Sequence, residues 1–149
     1  MSTLEPYQTG ALILLIGANP LPNYVAARLL LKRDGMLYLV HSQGPDGTGI
    51  VAQRLAAQFP DNNPRLIAVN PLDTAGLQEK VKKSLQDAPA DSLGLNYTGG
   101  TKVMAVHTYQ AVADFCGECM CGAVFSYLDA ETLELIVEPR TGHPVYSTG

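Results

Sequence analysis

The heptapeptide Asn96-Tyr97-Thr98-Gly99-Gly100-Thr101-Lys102 joins an apolar run containing Leu93 and Leu95 to a helix-forming stretch over residues 103–115. An amide, two threonine hydroxyls, two glycines and a lysine therefore fall where a strand feeds a helix, a junction suited to holding an anion. The first N–H groups of a helix have no internal partner and carry the positive end of its macrodipole. Gly99 and Gly100 let a phosphate approach the main chain, Thr101 can cap the helix, and Lys102 can supply a full charge. The same residues also suit an ordinary glycine turn before a capped helix. The concentration of Asn96, Thr98, Thr101 and Lys102 in one short segment favours the phosphate site.

Other segments carry weaker chemistry. Gly17-Ala18-Asn19-Pro20-Leu21-Pro22-Asn23 lacks Gly-x-Gly-x-x-Gly, so it is no dinucleotide fingerprint. Stiffened by two prolines, it can present Asn19 and Asn23 to a base or ribose, although Asn23 could equally cap a helix. The glycine-rich segment 44–49 matches no phosphate fingerprint and reads as a flexible loop, a rim or lid. The spacing of a Walker loop is absent as well. His41 beside Ser42 has no nearby carboxylate to orient it, which favours ligand contact over a catalytic triad. The sequon Asn96-Tyr97-Thr98 is a chance match in a strand–helix turn. Cys116, Cys119 and Cys121 crowd into one segment, lack a second pair, and read as free thiols rather than a metal site or a disulfide framework.

At 149 residues and 46% hydrophobic content, the chain can bury a core as one domain over 1–149. The cysteine pattern suggests a reducing, cytoplasmic setting. The most apolar run, 11–16, is far short of the roughly 20 residues needed to span a bilayer. Glu5, rather than a cationic stretch, precedes it, against a signal peptide. A net charge of −4 and one small basic cluster, Lys80, Lys82 and Lys83, argue against a grip on polymeric nucleic acid. A small anion in one pocket remains compatible.

These residues need elements to position them. Apolar runs alternate with helical patterns, which predicts an α/β, Rossmann-like, mainly parallel sheet flanked by helices. Strands are expected at 11–16, 36–41, 66–70, 92–96, 123–128 and 133–138. The last two flank the polar connection 129–132 and should form a closing antiparallel hairpin. Thr48 can cap a helix burying Val51, Leu55 and Phe59, and Asp73 one burying Leu77, Val81 and Leu85. The helix after Lys102 is apolar on more than one side, so it should be covered twice, once by the sheet and once by something else, a second subunit being one candidate. Both ends, 1–10 and 141–149, should be loosely held. Ligands of such sheets collect beyond the carboxyl ends of the strands, where Asn19, Asn23, Ser42, Gln43, Asn70 and the 96–102 loop would converge.

With Leu-Ile-Gly-Ala-Asn-Pro-Leu-Pro-Asn at the first strand–helix turn, the heptapeptide and the Val-Met that follows resemble the CRISPR-associated Rossmann fold (CARF) sensor domains of type III CRISPR systems. The likeness is greatest to the sensor halves of dimeric cyclic-oligoadenylate-activated nucleases and covers nearly the whole chain. It implies a homodimer binding cyclic tetra-adenylate, or less often cyclic hexa-adenylate, across its twofold axis, with no metal or further cofactor. Asn96, Thr98, Gly99, Gly100, Thr101 and Lys102 would hold phosphates and riboses. Asn19 and Asn23 would face the adenines, joined by Ser42 and Gln43. Such sensors are normally fused to an effector, for which 149 residues leave no room. The resemblance therefore implies an excised sensor relaying to a fused or separate effector, or a free-standing domain. Three alternatives stay open. One is a metal-independent ring nuclease using the ribose 2′-hydroxyl, with Thr101 and Lys102 steadying the transition state. Another is a different nucleotide-binding Rossmann-like enzyme, and the third is a plain dimeric scaffold with no ligand.

Overall fold

The computed structural model describes residues 4–88, 92–119, 122–129, 131–132 and 134–138. Strands β1 (Thr9–Leu15), β2 (Leu31–Ser42), β3 (Arg65–Val69), β4 (Leu93–Asn96), β5 (Ala123–Leu128) and β6 (Leu135–Val137) alternate with helices α1 (Leu21–Leu30), α2 (Gly49–Ala56), α3 (Thr74–Ser84) and α4 (Lys102–Cys119). They form one sheet in the order β3-β2-β1-β4-β5-β6. The first five strands are parallel, and β6 runs antiparallel to β5, with Tyr127 opposite Ile136. This is the expected α/β sheet with its closing hairpin. The direction of winding reverses between β1 and β4, and a crevice opens at such a switch point.

Successive side chains of β1 point to opposite faces, and both faces are covered. Ala11, Ile13 and Leu15 pack with Val81, Met104 and Val112 on the α3/α4 side, while Leu12, Leu14 and Ile16 pack with Ala26, Leu30 and Leu55 on the α1/α2 side. Leu4 is buried in the second cluster, so the segment before β1 is tied to the core rather than loose from residue 4 onward. Strand β2 begins five residues before the expected position. Leu31 pairs with Thr9 and Met36 with Ala11, so residues 32–35 all stand opposite Gly10. This irregular polar stretch has the composition of a turn, which hid the strand's start.

Asp73 caps α3 as expected, its carboxylate accepting the Gly76 N–H at 3.0 Å. Thr48 precedes α2, but its hydroxyl accepts the Ser42 N–H at 3.1 Å instead of bonding to its own helix. With the Ser42 hydroxyl accepting the Thr48 N–H at 3.1 Å, the glycine-rich segment between them is cinched at its base. No helix among the described residues is long and apolar enough to cross a membrane.

Candidate functional site

Strand β4 ends at Asn96, which is fully buried and donates to the Ser126 hydroxyl at 3.1 Å. Its side-chain Oδ1 accepts the Thr98 hydroxyl at 2.5 Å and the Thr98 N–H at 3.3 Å. The Thr98 hydroxyl in turn accepts the Leu128 N–H at 2.7 Å. Asn96 and Thr98 therefore lock the start of the loop to β5, an internal role that their polarity alone did not reveal.

Gly99 and Gly100 serve the loop's contact with β1. A Cβ on Gly99 would lie 2.2 Å from the Leu15 carbonyl oxygen and 2.8 Å from the Gly17 N, which excludes any larger residue without backbone movement. Gly100 has φ +77°, a left-handed conformation that glycine adopts without steric cost. Thr101 caps α4 as expected, its hydroxyl accepting the Met104 N–H at 3.1 Å and its carbonyl the Ala105 N–H at 2.9 Å. By helix geometry the N–H groups of Lys102 and Val103 have no partner within the helix. Lys102 opens α4 with an exposed side chain. An 18-residue helix thus starts beside β1, with the Lys102 and Val103 N–H groups and an exposed lysine at its N-terminus.

The remaining expected residues share this edge of the sheet but part company locally. Asn23 lies within α1 rather than at its cap. It is fully buried, its amide donating to the Leu15 carbonyl at 2.8 Å, and its Oδ1 has no hydrogen-bond partner among the described residues. Asn19 accepts the Leu21 N–H at 3.1 Å and lines a cavity of about 330 Å³ with Tyr24, Arg54 and Gln58. Gln43 lines another of about 210 Å³ with Asn70, Asp73 and Lys80. Ser42 is held by Thr48, and His41 is buried with its Nδ1 3.1 Å from the Ser42 carbonyl oxygen. Lys80 donates to the Ala68 carbonyl, and Lys82 lies 3.6 Å from Asp114, so the basic cluster on α3 is not a plain solvated face. Cys116 is buried on α4, while the Cys119 side chain and Cys121 lie outside the described residues.

Sequence reasoning passed over an aromatic and acidic cluster on the other flank of the loop. Tyr97 and Tyr109 both donate to the Glu138 carboxylate, Tyr109 at 3.2 Å. Tyr109 stacks on Phe125 with centroids 4.1 Å apart, and Tyr97 meets Tyr127 at 5.6 Å. The alternation of Phe125 and Tyr127 on one face of β5 was the available signal. Burial, then the hydrogen bond to Glu138 and that carboxylate's charge, push the Tyr97 hydroxyl far above its ordinary pKa of 10.0. Burial first, then the Glu138 charge, raises Tyr109 as well. Beside them a cavity of about 620 Å³ is lined by Tyr97, Thr98, Tyr127, Leu128, Asp129 and Glu131. A further cavity of about 410 Å³, edged by Arg28, Lys32, Arg33 and Asp61, lies at the amino ends of β2 and β3, away from the mouth.

No family model matches the sequence, and no curated protein matches it significantly. Solved structures do. Can2 from Sulfobacillus thermosulfidooxidans, in complex with cyclic tetra-adenylate, matches with a TM-score of 0.65 and 19% identity over 87% of this chain and 35% of its own. Protein VC1899 from Vibrio cholerae matches at 0.68 and 9% identity, over 89% of this chain and 34% of that one. A type III CRISPR defence DNA nuclease activated by cyclic oligoadenylate matches at 0.58 and 19% identity, over 87% and 20%. The likeness is one of fold, and a CARF-like fold agrees with the first and third of these. This chain spans about a third of the first two proteins and a fifth of the third.

Proposed function

We propose that this chain is a sensor domain that binds a cyclic oligoadenylate, cyclic tetra-adenylate by preference, across a homodimer and relays its occupancy to an effector. The observation that carries the reading is the N-terminus of α4: a Thr101-capped helix with Lys102 at its first position, set at the switch point between β1 and β4. Ligands of open α/β sheets bind in that crevice, and helix N-termini favour phosphate. The fold shared with a protein solved in complex with cyclic tetra-adenylate supports the same ligand. A cyclic tetranucleotide has twofold symmetry and a phosphate at every linkage. A twofold dimer presents one helix N-terminus and one lysine to each half of it.

The outer face of α4 supports the dimer. Val103 and Val106 are 42% and 63% exposed, and Gln110 and Ala113 continue the same stripe at intervals of four and three residues. Among the described residues nothing covers this stripe, and a second copy of α4 would do so.

Binding is measured by titrating the chain with cyclic rings of three, four and six adenylates and by following its melting temperature. At ligand about 100-fold over its dissociation constant, linkage stabilises the fold by about 2.7 kcal/mol. That corresponds to a rise of about 5–10 °C at this chain length. Lys102→Ala removes a charge-assisted contact from each protomer and should weaken binding by about 10²–10⁴-fold. Lys83→Ala, on an exposed part of α3, is the control that should change nothing. A chain that shows no shift with any ring is not such a sensor.

A further inference from the structure

We propose that the cleft between the 96–102 loop and the β5–β6 turn is a nucleobase subsite, with Tyr97 and Tyr127 as its stacking platform and Asp129 and Glu131 as acceptors that select a base bearing an exocyclic amine. The proposal rests on the reading of the 96–102 loop as a nucleotide site and adds to it the pocket that reads the base.

The position of the cleft is set by the fold. Thr98 belongs to the loop and lines the cleft, and Leu128 and Asp129 close β5 at the carboxyl edge of the sheet. A nucleotide whose phosphate sits at the N-terminus of α4 on one flank of the loop therefore has this cleft open to it on the other flank. At about 620 Å³ it falls within the roughly 300–1,000 Å³ of small-molecule sites.

Its walls suit a base. Tyr97 and Tyr127 are each half-buried, with centroids 5.6 Å apart and planes tilted by 41°. Rings this close touch each other, so a base stacks on the platform they make rather than sliding between them. Tyr97 is further held by its hydrogen bond to Glu138 and an edge contact with Tyr109, centroids 5.7 Å apart. The platform is thus in place before a ligand arrives.

Its rim suits an amine and not a phosphate. Asp129 Oδ1 accepts the N–H groups of Thr132 at 3.2 Å and Glu131 at 2.9 Å, which fixes the carboxylate at the edge of the turn. Those two backbone bonds, Thr132 first, hold its pKa below the usual carboxylate value, so it is an acceptor at neutral pH. Glu131 adds a second, exposed carboxylate. Two acceptor-only groups repel phosphate and leave a ribose linkage to the Lys102 side. What they accept is a donor such as the 6-amino group of adenine.

The test titrates the full chain with cyclic tetra-adenylate and with the same ring carrying unsubstituted purine for adenine. The parent should favour the amino-bearing ring by about tenfold or more, the scale of one hydrogen bond to a charged group. Asp129→Asn combined with Glu131→Ala keeps an acceptor for the turn and should cut that preference to below about threefold. Tyr127→Leu should weaken both rings by about tenfold without changing the preference, and Tyr127→Phe should restore affinity. A parent that shows no preference, a double variant that keeps the parent's preference, or a Tyr127→Leu chain that binds like the parent overturns the subsite while leaving the sensor standing. A parent that binds neither ring overturns both.

Discussion

Gly99 admits no side chain for reasons of packing that hold before any ligand is considered. A methyl group there would meet the Leu15 carbonyl oxygen at 2.2 Å, and that oxygen already accepts the Asn23 amide at 2.8 Å. Gly99→Ala must therefore separate β1 from the 96–102 loop or break the Asn23 contact, and overpacking of this kind costs about 1–3 kcal/mol. The expected result is a lower urea midpoint with an unchanged slope. A midpoint equal to the parent's would mean that the two loops part freely. The case shows what a sequence of this kind hides. Two glycines, an asparagine and a threonine next to a helix start carry the signature of a phosphate loop, yet Asn96, Thr98 and Gly99 each have a demonstrable structural partner in Ser126, Leu128 or Leu15. Residue type and spacing singled out the loop. The fold divides that loop into residues that build it, Asn96, Thr98 and Gly99, and residues left exposed at its end, Gly100, Thr101 and Lys102.

The elements were easier to read than the contacts between them. Continuous apolar runs with helices between them dictate a covered parallel sheet, and Leu12, Ile13, Leu14 and Leu15, all buried, needed no pairing information to be placed. Tyr97, Tyr109 and Glu138 were not legible, because they come from the end of β4, the middle of α4 and the residue after β6, brought together only by the sheet order. The tie between these elements has a measurable consequence. Tyr97 keeps its proton in the folded state to a higher pH than the ordinary 10.0, from burial first and Glu138 second. Between those two values the folded state binds more protons than the unfolded one, so stability falls as pH rises. The contribution is whole below about pH 10 and is lost progressively above it. Urea midpoints taken from pH 8 to pH 11 should decline in the upper part of that range, and Tyr97→Phe should flatten the decline. An equally steep decline in the variant would assign the effect to other tyrosines, Tyr109 and Tyr38 being the raised candidates.

Across the whole molecule, one geometric fact links the sheet to its proposed ligand. The reversal between β1 and β4 puts the α4 N-terminus at the crevice, and the same helix carries the exposed valines on its outer face. The proposed ligand site and the proposed seam are therefore parts of one element, so a ring that binds across the twofold axis must be sensitive to how the two copies of α4 meet. Val106, 63% exposed in one chain, is the position to perturb. Burying a valine contributes about 1.5–3 kcal/mol relative to leaving it exposed, and a twofold seam uses it from both sides. Val106→Glu forfeits that burial and sets like charges against each other, which should weaken self-association by more than about tenfold in sedimentation equilibrium. Affinity for cyclic tetra-adenylate should fall with it, because each protomer then offers half a site. Leu72→Glu, at a residue 94% exposed beyond β3, is the matched control and should leave both measurements unchanged. If Val106→Glu associates and binds like the parent, α4 is not the seam. Should it dissociate the dimer while one protomer still holds a ring at parental affinity, the site is complete within a single chain and the twofold argument fails.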